Sequence, residues 1–260
     1  MATQEQKAAA FQALHEGEPF VIQNPWDAGS AKVLEALGFQ ALATTSSGFA
    51  FALGRDDGEA SLDDVVGHVA ALTAATDLPV SVDLENGYAD PAETIRRVAE
   101  AGAVGGSIED YDPTGGIYDL SQAVERLTAA VEAARSLPFP FMLTGRAENH
   151  FRGNPDLDDT IARLHSYEAA GADVLYAPRL STIEEIRAVC EAVTNPVNVL
   201  AVRDLTFAQI AEAGAQRVSV GGTLTWTAVT AFAEAATAIR DRGDFSRLGS
   251  SADWFQPTTR

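Results

Sequence analysis

The chain of 260 residues has a single cysteine, Cys190. An internal disulfide and a thiolate metal cluster are therefore excluded, and a reducing, cytoplasmic setting is the simplest expectation. Positive charge is the second scarcity: 18 Lys and Arg stand against 37 Asp and Glu, for a formal charge of -19. Nucleic acid and anionic membrane are polyanions, so neither is an expected partner. Any anionic ligand must instead find positive charge locally. Long apolar runs are also missing; none approaches a membrane span, and the opening Met-Ala-Thr-Gln-Glu-Gln-Lys lacks the apolar centre of a signal peptide. No break in composition marks a linker, so residues 1–260 read as one domain with a tail at 249–260. The apolar share of 46% is enough for a large core.

What is present is a repeat. Glu35-Ala-Leu-Gly38, Glu100-Ala-Gly102, Glu168-Ala-Ala-Gly171 and Glu212-Ala-Gly214 each end an amphipathic segment in glycine, with an apolar run close behind. Glycine just past a helix's last turn takes the left-handed conformation that closes it, so each copy reads as a helix-to-strand junction. A second signal is proline leading into apolar residues, at Leu78-Pro79-Val80, Pro138-Phe139-Pro140-Phe141 and Asn195-Pro196-Val197. Proline suits a strand's first position and not its middle. With Phe20-Val-Ile added, eight runs emerge at about 20–24, 41–46, 79–83, 105–109, 141–145, 174–178, 197–202 and 217–221. Helix starts lie between them: Asp90-Pro91-Ala92-Glu93 carries an N-cap and a proline at the first helical position, Ser181-Thr-Ile-Glu184 is a capping box, and Ser61-Leu-Asp-Asp64 a looser one. Eight strands alternating with eight helices predict a single (β/α)8 TIM barrel, with a doubly wound open sheet as the alternative.

In a barrel, function gathers at the C-terminal ends of the strands. Those ends carry Asn24, Asp27, Ser46, Ser47, Gly48, Asp83, Glu85, Glu109, Asp110, Arg146, Glu148, Arg179, Arg203 and Gly221. Asp83 and Glu85 share a face if the strand continues through both, because side chains two apart on a strand point the same way. With Asp57 and Glu109 they form a set of hard oxygen ligands, which favours Mg2+ or Mn2+ over zinc, with one carboxylate direct and others acting through water. The other reading is that these acids cap helices in a very acidic chain. Arg146, at the end of Phe-Met-Leu-Thr-Gly, can face a carboxylate or phosphonate, or pair with Glu148 or Glu109. His150 is placed to shuttle protons, whereas His15, His68 and His165 fall in helical stretches and read as structural. Cys190 shares a helical face with Ile183, Ile186, Val189 and Val193 and reads as core. Gly221 and Gly222 can cradle a phosphate, which would make this a phosphosugar-type barrel instead.

The motifs Asn24-Pro-Trp-Asp-Ala28, Thr44-Thr-Ser-Ser-Gly48, Leu53-Gly-Arg-Asp-Asp57, Asp83-Leu-Glu-Asn-Gly-Tyr88, Ser107-Ile-Glu-Asp110 and Gly145-Arg146 occur in this order. As a set, spanning about Phe11 to Leu248, they resemble the phosphoenolpyruvate mutase and isocitrate lyase superfamily. The resemblance implies a barrel, commonly a dimer or tetramer with helix eight exchanged between subunits, and magnesium at its mouth. It implies Asp83 as the direct metal ligand, with Asp57, Glu85 and Glu109 holding metal-bound waters. Ser47 and Gly48 are implied as backbone donors to a small anionic 2-oxo acid, Arg146 as facing its anionic end, and Trp26, Ser46 and Glu148 as completing the binding set. The chemistry implied is cleavage of a C–C or P–C bond through an enolate. One departure stands out. Family lyases carry a Lys-Cys-Gly type gating loop after strand four, whereas this chain has Asp110-Tyr-Asp-Pro-Thr-Gly-Gly-Ile-Tyr118. Standard isocitrate cleavage is thus not expected, Tyr111, Tyr118 or His150 become the substitute proton donors, and a barrel that binds a keto acid without turning it over is the alternative.

Overall fold

A computed structural model describes residues 2–249; the predicted tail at 249–260 lies, apart from Gly249, outside the described residues. Eight parallel strands form the centre: β1 Phe20–Ile22, β2 Leu42–Ala43, β3 Val80–Asp83, β4 Gly105–Glu109, β5 Met142–Arg146, β6 Val174–Tyr176, β7 Val197–Leu200 and β8 Arg217–Ser219. Each lies within or one residue beyond the run predicted for it. The strands pair in the order β1-β8-β7-β6-β5-β4-β3-β2. The last gap is bridged where Gln23 meets Leu42 and the Ala43 N–H donates to the Gln23 carbonyl at 2.8 Å. That bridge decides for the barrel and against the open sheet, since an open sheet leaves both edges unpaired.

The four helix-ending glycines behave as the repeat predicts. Gly38, Gly102, Gly171 and Gly214 have φ of 87, 101, 98 and 110°. Each donates its N–H three residues back, to Glu35, Ala99, Glu168 and Ala211, and the residue after each glycine donates five back, to Leu34, Val98, Tyr167 and Ile210. Four copies of one closure end four helices shortly before β2, β4, β6 and β8.

Ten helices are described, not eight. Helix α1, Gln4–Glu16, precedes the barrel, and its Ala8 and Phe11 pack with Phe20, Ala41, Val104, Met142 and Val174 to close the N-terminal end. Its Lys7 Nζ donates to the carbonyls of Thr73 and Thr76, at 3.3 and 2.7 Å. After α2, Ala28–Ala36, comes the other addition, α3, Ser46–Ala52, in a stretch that reads as a loop in the sequence. The remaining helices are α4 Leu62–Ala75, α5 Pro91–Glu100, α6 Leu120–Arg135, α7 Leu157–Ala169, α8 Ile183–Ala192, α9 Phe207–Glu212 and α10 Thr223–Arg242. Asp90 caps α5 and Ser61 caps α4 in a full capping box with Asp64. The box at α8 sits one residue later than its motif implies: Thr182 pairs with Glu185. Cys190 lies on α8 against Gly214, away from the barrel mouth, and burial pushes its thiol up to about 11, in keeping with a packing role.

Candidate active site

A cavity of about 360 Å³ opens at the C-terminal ends of the strands. Asp57, Asp83, Glu85, Glu109, Arg146, Ser46, Ser47 and Tyr111 all line it, so most of the expected site residues are brought together. Asp83 ends β3, where its carboxylate accepts from the N–H of Ser46 at 3.3 Å and of Glu85 at 3.4 Å. The strand does not run on to Glu85, which has φ of 49°. The two acids therefore converge through a left-handed turn and not through strand alternation, which corrects the period-two argument. Such a conformation costs about 1–3 kcal/mol for a non-glycine residue and persists only where neighbours enforce it. Here the enforcing bond is from Glu109 N–H to the Glu85 carbonyl, at 2.8 Å.

Arg146 ends β5 and reaches three acids: Glu148 at 2.6 Å, Glu109 at 3.3 Å and Asp83 at 3.6 Å. Burial by itself lowers the Arg146 pKa, but Glu109, Glu148 and Asp83 outweigh it and hold the guanidinium charged. Arg152, which sequence reasoning missed, is its counterpart. It pairs with Glu148 at 2.9 Å and Glu109 at 3.3 Å, and its guanidinium lies 3.6 Å from the centre of the Tyr111 ring. The helical spacing Glu148 to Arg152 was the available signal. Asn24 was placed at the mouth without a role; its Oδ1 accepts from the N–H groups of Val220 and Gly221, at 3.0 and 2.9 Å, and its amide donates to the carbonyls of Ala43 and Thr44. Those two N–H groups are thereby spent, which removes most of the phosphate cradle expected at Gly221 and Gly222.

Other expected residues stand off the cavity wall. Glu148 is fully buried beneath the two arginines. His150 is turned to the Thr160 hydroxyl at 2.8 Å. Gly48 is buried in α3 and its N–H donates to the capping Thr45 hydroxyl at 3.4 Å; a Cβ there would meet Thr225 Oγ1 at 2.6 Å, so close packing explains the glycine. Trp26 packs beside Gly48. Arg179 and Arg203 are exposed. The Asp110–Tyr118 loop folds as an antiparallel ribbon, Tyr111–Asp112 with Gly116–Ile117, turned by Asp112, whose carboxylate accepts from Thr114 and Gly115. Tyr111 and Pro113 of this ribbon line the cavity, while the Tyr118 hydroxyl is tied to Asn86 and Asp112. Asp110 is buried behind it, paired with Arg163 at 2.8 Å and accepting from Tyr167 at 2.5 Å.

Five carboxylates, Asp57, Asp83, Glu85, Glu109 and Glu148, thus face two guanidinia. Burial, then Asp83 and Asp57, push Glu85 up to about 7. Burial likewise raises Asp57 and Glu109. Among the described residues no three acids close directly on one point. The surplus of hard oxygen donors fits a divalent ion held by one carboxylate with others acting through water, with Asp83 the candidate direct ligand. The sign of the pH effect follows. Glu85 binds its proton more tightly folded than unfolded, so the metal-free protein loses stability as pH rises from its ordinary 4.5 through about 7. Chemical denaturation at pH 5 and pH 8 in EDTA should show this loss, and Glu85→Gln should make it smaller, leaving the share of Glu109 and Asp57; an unchanged slope in that variant refutes the assignment.

A parallel eight-stranded barrel whose C-terminal mouth gathers carboxylates around arginines defines the class, that of the phosphoenolpyruvate mutase and isocitrate lyase barrels. The chain belongs to the phosphoenolpyruvate phosphomutase family, whose model matches residues 11–240. A structure from Burkholderia cenocepacia J2315, provisionally described as a lyase/mutase, superimposes with a TM-score of 0.93 at 51% identity, covering 96% of this chain and 95% of that one. An uncharacterized protein of Mycobacterium tuberculosis is 33% identical over 229 residues, 87% of each chain. The 2-methylisocitrate lyase of Escherichia coli K12 is 29% identical over 199 residues, 71% of this chain and 66% of that enzyme.

Proposed function

We propose that the cavity binds a small 2-oxo acid, or its phosphonate analogue, together with Mg2+ or Mn2+ at Asp83, and promotes C–C or P–C bond chemistry through an enolate. The observation that carries this reading is the convergence of four carboxylates, Asp57, Asp83, Glu85 and Glu109, on one side of the cavity, where burial and then the neighbouring Asp83 and Asp57 push Glu85 up to about 7. The bound ion would supply Lewis acidity toward the enolate's negative charge. The chain's own residues do the rest. Arg146 and Arg152 fix the carboxylates, Ser46 and Ser47 offer polar groups to the ligand at the start of α3, and the ribbon carrying Tyr111 and Pro113 screens the cavity from water. Tyr111 is the candidate proton donor on the cavity wall. His150 is held at the Thr160 hydroxyl and ties its loop to α7.

A second reading, a barrel that binds a keto acid without turnover, is favoured by the ribbon itself, which carries neither cysteine nor lysine. Oxaloacetate, phosphonopyruvate, phosphoenolpyruvate and 2-methylisocitrate offered with magnesium separate the two. Product seen by NMR supports the enzyme; calorimetric binding with no product supports the second reading, and neither binding nor product rejects both.

The same proposal includes a homo-oligomer with α10 exchanged. Of the 20 residues of α10 only Thr225 and Ala238 are buried, and Phe232 is 74% exposed. A helix that follows the last strand of a barrel normally buries an apolar stripe against it, so this one needs a partner's surface. Sedimentation equilibrium should give a mass of two or four chains, and Phe232→Asp should lower it; a monomeric wild type contradicts the exchange. No described helix is long and apolar enough to cross a membrane.

A further inference from the structure

Three arginines reach the cavity wall, and Arg217 differs from the other two. Arg146 and Arg152 are each held by carboxylates. Arg217, the first residue of β8, is buried at 5% exposure. Its guanidinium donates to Asn198 Oδ1 at 2.8 Å, His15 Nε2 at 3.1 Å and Thr144 Oγ1 at 3.1 Å. All three partners are neutral. Burial, reinforced by Arg217 itself, lowers the His15 pKa to about 3, so its Nε2 accepts while Nδ1 donates to the Phe11 carbonyl at 2.8 Å. Among the described residues no carboxylate stands within ion-pair distance of Arg217. Loss of hydration pulls its pKa down to about 10, which still leaves it charged at neutral pH.

A buried charge met only by dipoles is expensive, and a guanidinium has donors beyond the three used here. The Arg217 side chain lines the cavity, and strand register sets it in a row with others that do. Arg217 is the Cα partner of Asn198, Asn198 of Tyr176, Tyr176 of Arg146 and Arg146 of Glu109. All five line the cavity. One row of inward side chains therefore runs from an acid at the mouth to an unpaired cation at the floor.

We infer that Arg217 is a second anion-binding residue of the cavity, holding the remote carboxylate of a two-acid ligand whose other acidic group faces Arg146 at the mouth. Asn198 is the positioning residue, holding Nε of Arg217 through its oxygen while its amide donates to Ser219 Oγ at 3.0 Å. The inference rests on the cavity being a 2-oxo acid site, but it is separable from the metal and from turnover. Malonate and succinate, two non-reacting dicarboxylates, and pyruvate, a monocarboxylate, are titrated calorimetrically into the full chain with and without magnesium. At least one dicarboxylate should bind the wild type tenfold or more tighter than pyruvate. Arg217→Met and Asn198→Asp should both erase that preference while leaving pyruvate binding within about twofold, the second by supplying the missing counter-ion with no loss of core volume. Should Arg217→Met fail to fold, Asn198→Asp decides. A wild type without the preference, or an Asn198→Asp protein that keeps it, overturns the inference. A wild type that shows the preference but takes up no magnesium instead counts against the metal reading.

Discussion

Asp83→Ala should abolish magnesium binding and, with whichever substrate the screen identifies, cut turnover by roughly a thousandfold. The magnitude follows from the several kcal/mol a metal contributes to charge stabilisation, at about 1.4 kcal/mol per tenfold in rate. Structure alone does not account for such a loss. The Asp83 carboxylate is bound to two N–H groups at 3.3 and 3.4 Å and to Arg146 at 3.6 Å, all long contacts. Asp83→Asn keeps the shape and one acceptor, so it should fold as the wild type and still lose the ion. Isothermal titration with magnesium reads the first effect and a product assay the second. Magnesium-dependent activity surviving in Asp83→Ala would remove Asp83 from the role of direct ligand.

The largest expected effect on stability lies one layer down, at Glu148. Its side chain is fully buried and receives Arg146 Nε at 2.6 Å and Arg152 Nε at 2.9 Å. Glu148→Ala leaves both guanidinia short of a partner inside the barrel mouth. Breaking a buried pair from one side costs about 3–5 kcal/mol. The lower end applies here, because Arg152 is 30% exposed and Arg146 keeps Glu109. Glu148→Gln preserves the volume and should lose less. Urea unfolding gives the answer directly: a midpoint shift worth under about 1 kcal/mol, the size of a surface pair, would mean that solvent already screens this layer. The loosened arginines should also raise the KM of any substrate found, since the carboxylates that face it are placed by them.

How legible the protein was depends on the range of the interaction that decides each feature. The four glycine closures, the proline strand entries and the N-caps are settled within five or six residues, and the structure reproduces them with the single-residue shift at Thr182. The α1 plug and α3 were not legible in the same way. Helix α1 is placed by Phe11 and Ala8 meeting five strand starts spread over the whole chain, and α3 occupies a stretch whose serines and glycine look like a loop locally. The site divides along the same line. Asp83, Glu85, Glu109 and Arg146 are legible because strand ends can be read in order, whereas Asp57, beyond α3, enters as a further oxygen ligand through the Leu53–Asp57 motif. His150 enters by its position and Gly48 through the family resemblance as well, and contacts with Thr160 and Thr225 hold them off the cavity wall.

The local periodicity and punctuation of the sequence by themselves determined a (β/α)8 barrel and the carboxylates at its mouth, because helix closure, strand entry and strand end are short-range events. Tertiary structure alone decided which charges are already spent. Arg152 on Glu109, Asn24 on the amides of Val220 and Gly221, and Arg217 left with three neutral partners are contacts between residues as many as 202 positions apart. No local pattern encodes them, since ion pairing inside a barrel depends on how strand register and tilt bring distant side chains to one level.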